Sequence, residues 1–281
     1  MNKQPSALIL FFSALLFGGG ALLATFHTIV HAPEYLGAYF TRVDHPIKPS
    51  YPFYNEFLKE CVRRDRVDYA RAKNSKLLDK AMTELASLSC DEFGDPGDKL
   101  LYWINAYNLL STKAVTDRFP VRTVSEVAND MASHRYTVGG VPITVKDIRQ
   151  LKIAPLLRGS TSGDYTDARV LFLICGSAMG YPVICDHALE TSRLKHDLEE
   201  NTYKFIHRKG NVFMTKKPNA MFISPFFQWN ESVIEQSFTN PWSFVIYYLS
   251  ADEKPDDSDY GFKENYMTKF DWRINDTETQ D

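Results

Sequence analysis

Leu101-Tyr102-Trp103-Ile104-Asn105-Ala106-Tyr107-Asn108-Leu109-Leu110 is the stretch whose reading decides the fold. At 3.6 residues per turn, Trp103, Tyr107, Leu110 and Ala114 share one face, the pattern of a helix packed into a core. Asn105, Asn108 and Thr112 fall on the opposite face. An asparagine amide competes with the helix backbone for hydrogen bonds, so two of them in register need a purpose. Three readings are open: a solvated face, a polar tie to a neighbouring loop, or a binding site built on both amides.

Working outward, Pro96-Gly97-Asp98 supplies a turn and a cap ahead of this helix, and Pro120 bounds its end. Upstream, 54–61 and 76–87 have helical patterning. Downstream, Gly139-Gly140 between Tyr136-Thr137-Val138 and Val141-Pro142-Ile143 is a hairpin signal, with the proline weakening the second strand. Thr144 and Asp147 form a capping pair. The apolar run 170–175 suits a strand buried on both faces. A helix is expected over 189–207, and 211–215 pairs with 220–224 across a Lys216-Lys217-Pro218-Asn219 turn. Helices over 233–238 and 242–249 follow, separated at Asn240-Pro241. The expected class is α+β: a single mixed domain with a short central sheet and surrounding helices.

At 281 residues, with 44% hydrophobic and 24% charged content, the chain has the composition of a folded domain rather than a disordered one. A formal net charge of −3 gives no electrostatic reason to expect nucleic acid. The amino terminus is set apart. Residues 7–26 carry no charge and follow Lys3, and about 20 apolar residues can cross a bilayer as a helix. Gly18-Gly19-Gly20 interrupts the run, so 7–17 also has the length of a signal-peptide apolar region. Residues 1–32 are therefore expected to be a cleaved signal or a retained anchor that contacts the membrane through 7–26. Either places the main domain outside the cytoplasm. A proline-containing spacer over 33–50, a globular domain over 51–275 and a tail over 276–281 complete the organisation.

Chemistry is sparse. Cys175 ends the apolar run and enters Gly176-Ser177-Ala178-Met179-Gly180, a place where a thiol is open to attack on a substrate. It becomes a nucleophile only if a base or a positive field lowers its pKa, and His187 is the nearest candidate base in sequence. The competing reading is a buried core thiol. Cys61, Cys90, Cys175 and Cys185 also allow disulfides, with 61–90 and 175–185 as one arrangement and four reduced thiols as the other. No Cys-x-x-Cys spacing occurs, and His187, His196 and His207 form no standard ligand set, so neither a metal nor a cofactor is expected. Arg169 either binds a carboxylate or forms a structural ion pair. Asp271 beside Trp272 reads as a cap. Asn230-Glu231-Ser232 and Asn275-Asp276-Thr277 match glycosylation acceptors.

Trp103-Ile104-Asn105-Ala106-Tyr107-Asn108 resembles the signature of the family catalogued as domain of unknown function 547. Further elements follow in that family's order: Val67-Asp68-Tyr69, Phe119-Pro120-Val121, Val138-Gly139-Gly140 with Asp147-Ile148, and Asp167-Ala168-Arg169-Val170. The aromatic stretch Phe226, Phe227, Trp229 and the closing Phe270-Asp271-Trp272-Arg273-Ile274-Asn275 complete the resemblance, which spans roughly 50–275. Typical members show Asp-Pro-Arg-Ile-His-Phe, then a cysteine and Ser-Cys-Pro. Here Leu171 stands at the histidine, Gly176 and Tyr181 at the two cysteines, and Cys175 is one position out of register. Arg149-Gln150 stands where members show Glu-His. The resemblance implies that any reactive site of the family is altered in this chain. The expected role is therefore a translocated, membrane-associated or secreted domain that binds a small molecule or protein through Asn105, Asn108 and Arg169, or serves structurally. The alternatives are a thiol-dependent hydrolase or transferase using Cys175, and a scaffolding module.

Overall fold

The computed structural model describes residues 46–159, 167–216, 219–255 and 262–280. The apolar run 7–26 and most of the spacer lie outside the described residues. Chain elements from Pro46 onward cohere as one unit.

Three helices lead in: α1 (Pro52–Cys61), α2 (Tyr69–Asn74) and α3 (Lys76–Ser87). They are followed by the quoted stretch, which lies in α4 (Pro96–Arg118). Asp95 caps α4 by accepting the Gly97 amide at 2.7 Å, and Pro96 occupies its first turn, where a missing N–H costs nothing. Every residue of α4 from Leu100 to Thr112 is buried, Asn105 and Asn108 included. Sequence periodicity assigned one buried face; the helix is enclosed on all sides. It packs against α2, α3, α5 (Ala128–Ser133) and a run of π-helix, Ile148–Ile153.

That π-helix is the middle of a composite helix whose ends are Val145–Asp147 and Ala154–Gly159. Thr144 caps its start, accepting the Asp147 amide at 3.0 Å, as the capping pair predicts. Farther on come α6 (Leu194–His207), α7 (Pro225–Trp229), α8 (Glu231–Ile234) and α9 (Pro241–Tyr248). Among the described residues no helix is long and apolar enough to cross a membrane.

The strands form three separate small sheets rather than one central sheet. Strands β1 (Val62–Arg63) and β2 (Arg66–Val67) turn through Arg64 and Asp65, both at positive φ. Strands β3 (Tyr136–Val138) and β4 (Val141–Ile143) turn through Gly139 and Gly140, at φ +59° and +75°. Two consecutive left-handed residues are what a two-residue hairpin needs, and glycine meets that need without strain. Strand β5 (Val212–Lys216) pairs antiparallel with β6 (Asn219–Ile223), Val212 opposite Ile223, and β7 (Lys263–Tyr266) joins β6 in parallel.

The expected strand over 170–175 is a correction. Residues Ala168–Leu173 form a 3-10 helix, capped by Asp167, which accepts the Arg169 amide at 2.9 Å. A continuous apolar run reports burial but not period, so it cannot separate a strand from a buried helical turn. Phe172 lies fully buried at its centre, with the rings of Phe205, Phe226 and Phe244 5.2–5.6 Å away. Leu171 is 1% exposed in the same core, so an apolar residue suits this position.

The closing segment ties the fold together. The Val67 amide donates to the Asn275 carbonyl at 2.9 Å, and the Tyr69 hydroxyl donates to Asn275 Oδ1 at 2.7 Å. Ile274 bridges Ala178, and Asp276 bridges Val67, one residue past the expected end of the domain.

Candidate functional site

Asn105 and Asn108 lie one helical turn apart, and each holds the backbone of a different segment. Asn105 accepts the Leu189 amide and donates to the Leu189 carbonyl, both at 2.9 Å. Asn108 donates to the Leu173 carbonyl at 2.9 Å and accepts the Cys175 amide at 2.8 Å. A primary amide presents a donor and an acceptor side by side, so it satisfies an irregular backbone that makes no ladder of its own. These are the polar ties that the sequence offered as one reading, and both amides are consumed by them.

Cys175 follows directly from the Asn108 tie. It is 1% exposed, and Asn275 Nδ2 points at its sulfur from 3.6 Å. Burial pushes the thiol up to about 11, more than the Ser177 amide, the Arg208 charge and Asn275 pull it down. Ser177 sits at φ +60°, a strained conformation for a residue with a side chain. Two glycines make room nearby: a Cβ on Gly176 would fall 2.6 Å from the Tyr181 ring, and one on Gly180 2.6 Å from Phe270. All four cysteines are free, the second of the two arrangements, and neither the 61–90 nor the 175–185 bridge is formed; Cys185 accepts from Asn201 Nδ2 at 3.0 Å.

His187 does not serve this thiol. Its Nδ1 faces Asp186 Oδ1 at 2.8 Å and its Nε2 faces Asp197 Oδ2 at 3.2 Å. The bond to Asp197, then that to Asp186, raises its pKa against the opposing pull of burial. Arg169 is likewise engaged, with Asp167 at 2.5 Å and Glu199 at 2.9 Å. Asp271 accepts the Arg273 amide at 3.1 Å and pairs with that guanidinium, the capping role expected of it. Asn230 and Asn275 are buried and hydrogen-bonded through Nδ2, which places neither sequon nitrogen at the surface. Among the described residues no cluster of three His, Cys, Asp or Glu side chains is placed to hold a metal ion.

The open concavity is elsewhere. A cleft of about 430 Å³ runs between α5, the composite helix and the α7–α8 segment. Tyr107 of α4 and Ile174, the residue before Cys175, also line it. Its apolar walls include Met131, Val145, Ile153, Leu157 and Val233, and its polar side chains are Lys146, Arg149, Gln150, Asn230 and Ser232. No carboxylate is among the described residues that line it. The π turns carry Arg149 and Ile153; such widened turns recur at functional sites.

Arg149 is the unusual member. One guanidinium nitrogen, Nη2, reaches Asn230 Oδ1 at 3.4 Å, and the guanidinium carbon lies 6.0 Å from the Tyr107 ring centre. Nη1 is buried and makes no well-formed hydrogen bond among the described residues. Burial raises the Tyr107 hydroxyl pKa, and the nearby Arg149 guanidinium, by its charge and a weak hydrogen-bonding contact, together with Ser111, pulls it back only in part. A buried cationic donor left unpaired is expensive, and most such groups in proteins have a partner. In the linear sequence Arg149-Gln150 stands out only as a departure from the family pattern. Nothing in a linear sequence shows that this arginine is unopposed by a carboxylate.

Trp229, named in sequence only as part of an aromatic stretch, also lines the cleft. Its indole stacks on Trp272, with ring centres 5.8 Å apart, and meets Phe270 at 4.8 Å.

Residues 93–206 match the family model described as Protein of unknown function, DUF547. No curated protein and no solved structure matches the chain.

Proposed function

The chain belongs to the DUF547 family, and from that premise we propose that this member is a binding domain for a small organic anion, not a thiol enzyme. The observation that carries the reading is Arg149: a guanidinium with one buried nitrogen that makes no well-formed hydrogen bond, at a cleft with no carboxylate among the described residues that line it. A cleft of about 430 Å³ lies in the range that holds small molecules. Its aliphatic walls favour a ligand with an apolar body, and a guanidinium attracts a carboxylate through charge-assisted hydrogen bonds. Lys146, exposed at the same cleft, adds a second positive charge. The thiol reading lacks comparable support, since Cys175 is buried and both His187 nitrogens face carboxylates.

Calorimetric titration with hexanoate and with benzoate tests this. Binding should weaken about tenfold or more in Arg149→Gln, a loss of about 1.4 kcal/mol or more, and it should weaken as salt rises. Equal affinity of wild type and variant for both acids would sink the reading.

The binding domain works outside the cytoplasm, as a secreted or membrane-held protein. Lys3 ahead of the charge-free run 7–26 supports this. A compartment-sensitive reporter fused to the carboxyl end should be active outside the cytoplasm; activity confined to the cytoplasm would refute export.

A further inference from the structure

Arg149 and Trp229 both line the cleft. Arg149 bonds to Asn230, the residue that follows Trp229 in the chain. Asn230 in turn donates to the Phe226 carbonyl at 2.7 Å, which fixes the end of α7. Trp272 and Phe270 pack on the Trp229 indole and are not among the described residues that line the cleft. The indole nevertheless remains 49% exposed. A large aromatic surface, packed on by two other rings and still half exposed at a cleft, is a preorganised stacking partner.

We propose that the ligand of this cleft is an aryl carboxylate, its ring laid on the open face of Trp229 and its carboxylate turned to Arg149. This rests on the anion-binding reading and adds the ring. The aliphatic walls from Val145, Ile153 and Leu157 then cover the ring edge. Lys146 and Gln150, both exposed, remain for substituents on the far side.

The comparison that isolates the ring is benzoate against cyclohexanecarboxylate, two acids of similar size and equal charge. Titration of the full chain should show benzoate binding about two- to tenfold tighter, the range of an aromatic stacking pair. In Trp229→Leu that ratio should fall towards one, and in Trp229→Phe, which keeps a ring and guards against a misfolded variant, it should persist. Quenching of tryptophan fluorescence by benzoate, weaker with the saturated acid, should accompany binding. Arg149-dependent binding with no preference between the two acids in the wild-type chain overturns the aryl assignment and leaves the anion reading standing. Binding of neither acid overturns both.

Discussion

At Cys175 two N–H donors face a sulfur that the surrounding core keeps protonated. With its pKa pushed up to about 11, the thiolate fraction at neutral pH is about one in ten thousand. Alkylation of Cys175 in the folded, unreduced protein should therefore be slow at pH 7 and accelerate only in strongly alkaline buffer. Rapid labelling below neutral pH would reveal an activated thiolate and restore the enzyme reading. The asparagines on α4 carry a stability prediction. Replacing Asn105 or Asn108 by alanine strands a buried amide N–H and a carbonyl. Each unpaired group costs about 1–3 kcal/mol. Urea midpoints that match wild type would show the ties to be dispensable. That two amides in register serve one purpose was legible in the sequence; that their partners are Leu189, Leu173 and Cys175 was not, because those lie 65 to 84 residues away.

At the scale of elements, the segment entering α6 holds a titratable lock. His187 lies between Asp186 and Asp197, with Arg193 and His196 also near Asp197. Its folded pKa is raised above the unfolded value of about 6.5. The stabilisation it brings is thus fully present below about pH 6.5 and is lost as pH rises through the higher folded pKa. The Tm difference between wild type and His187→Gln should accordingly be largest in mildly acidic buffer and shrink towards alkaline pH. A difference that grows with pH would reverse the assignment. Caps and hairpins at this scale were readable: Thr144 and the Gly139-Gly140 turn do what their residue types predict, and Asn240-Pro241 breaks the chain between two helices as expected. The 3-10 helix Ala168–Leu173 was not, because unbroken hydrophobicity records burial without period.

For the whole molecule, the closing residues are structural. Asn275 bonds to Val67, Tyr69 and Cys175, and Ile274 pairs with Ala178, so the end of the chain contacts both its early strand and its central loop. Deleting residues 271–281 should abolish a single cooperative urea transition, whereas a truncated chain that unfolds like wild type would show the segment to be an appendage. The sequence by itself determined the α+β class, the central helix and its end before Pro120, the β5–β6 pairing and the family, since all of these depend on local periodicity, turn chemistry or an ordered set of motifs. It also marked Arg149-Gln150, Leu171 and Tyr181 as departures. Only the tertiary structure decided that Arg169 is held by Asp167 and Glu199, that His187 is held by two carboxylates, and that Arg149 faces a cleft with none among the described residues that line it. The physical reason is that a charge takes its role from the groups that surround it in space, and those come from segments scattered across the chain.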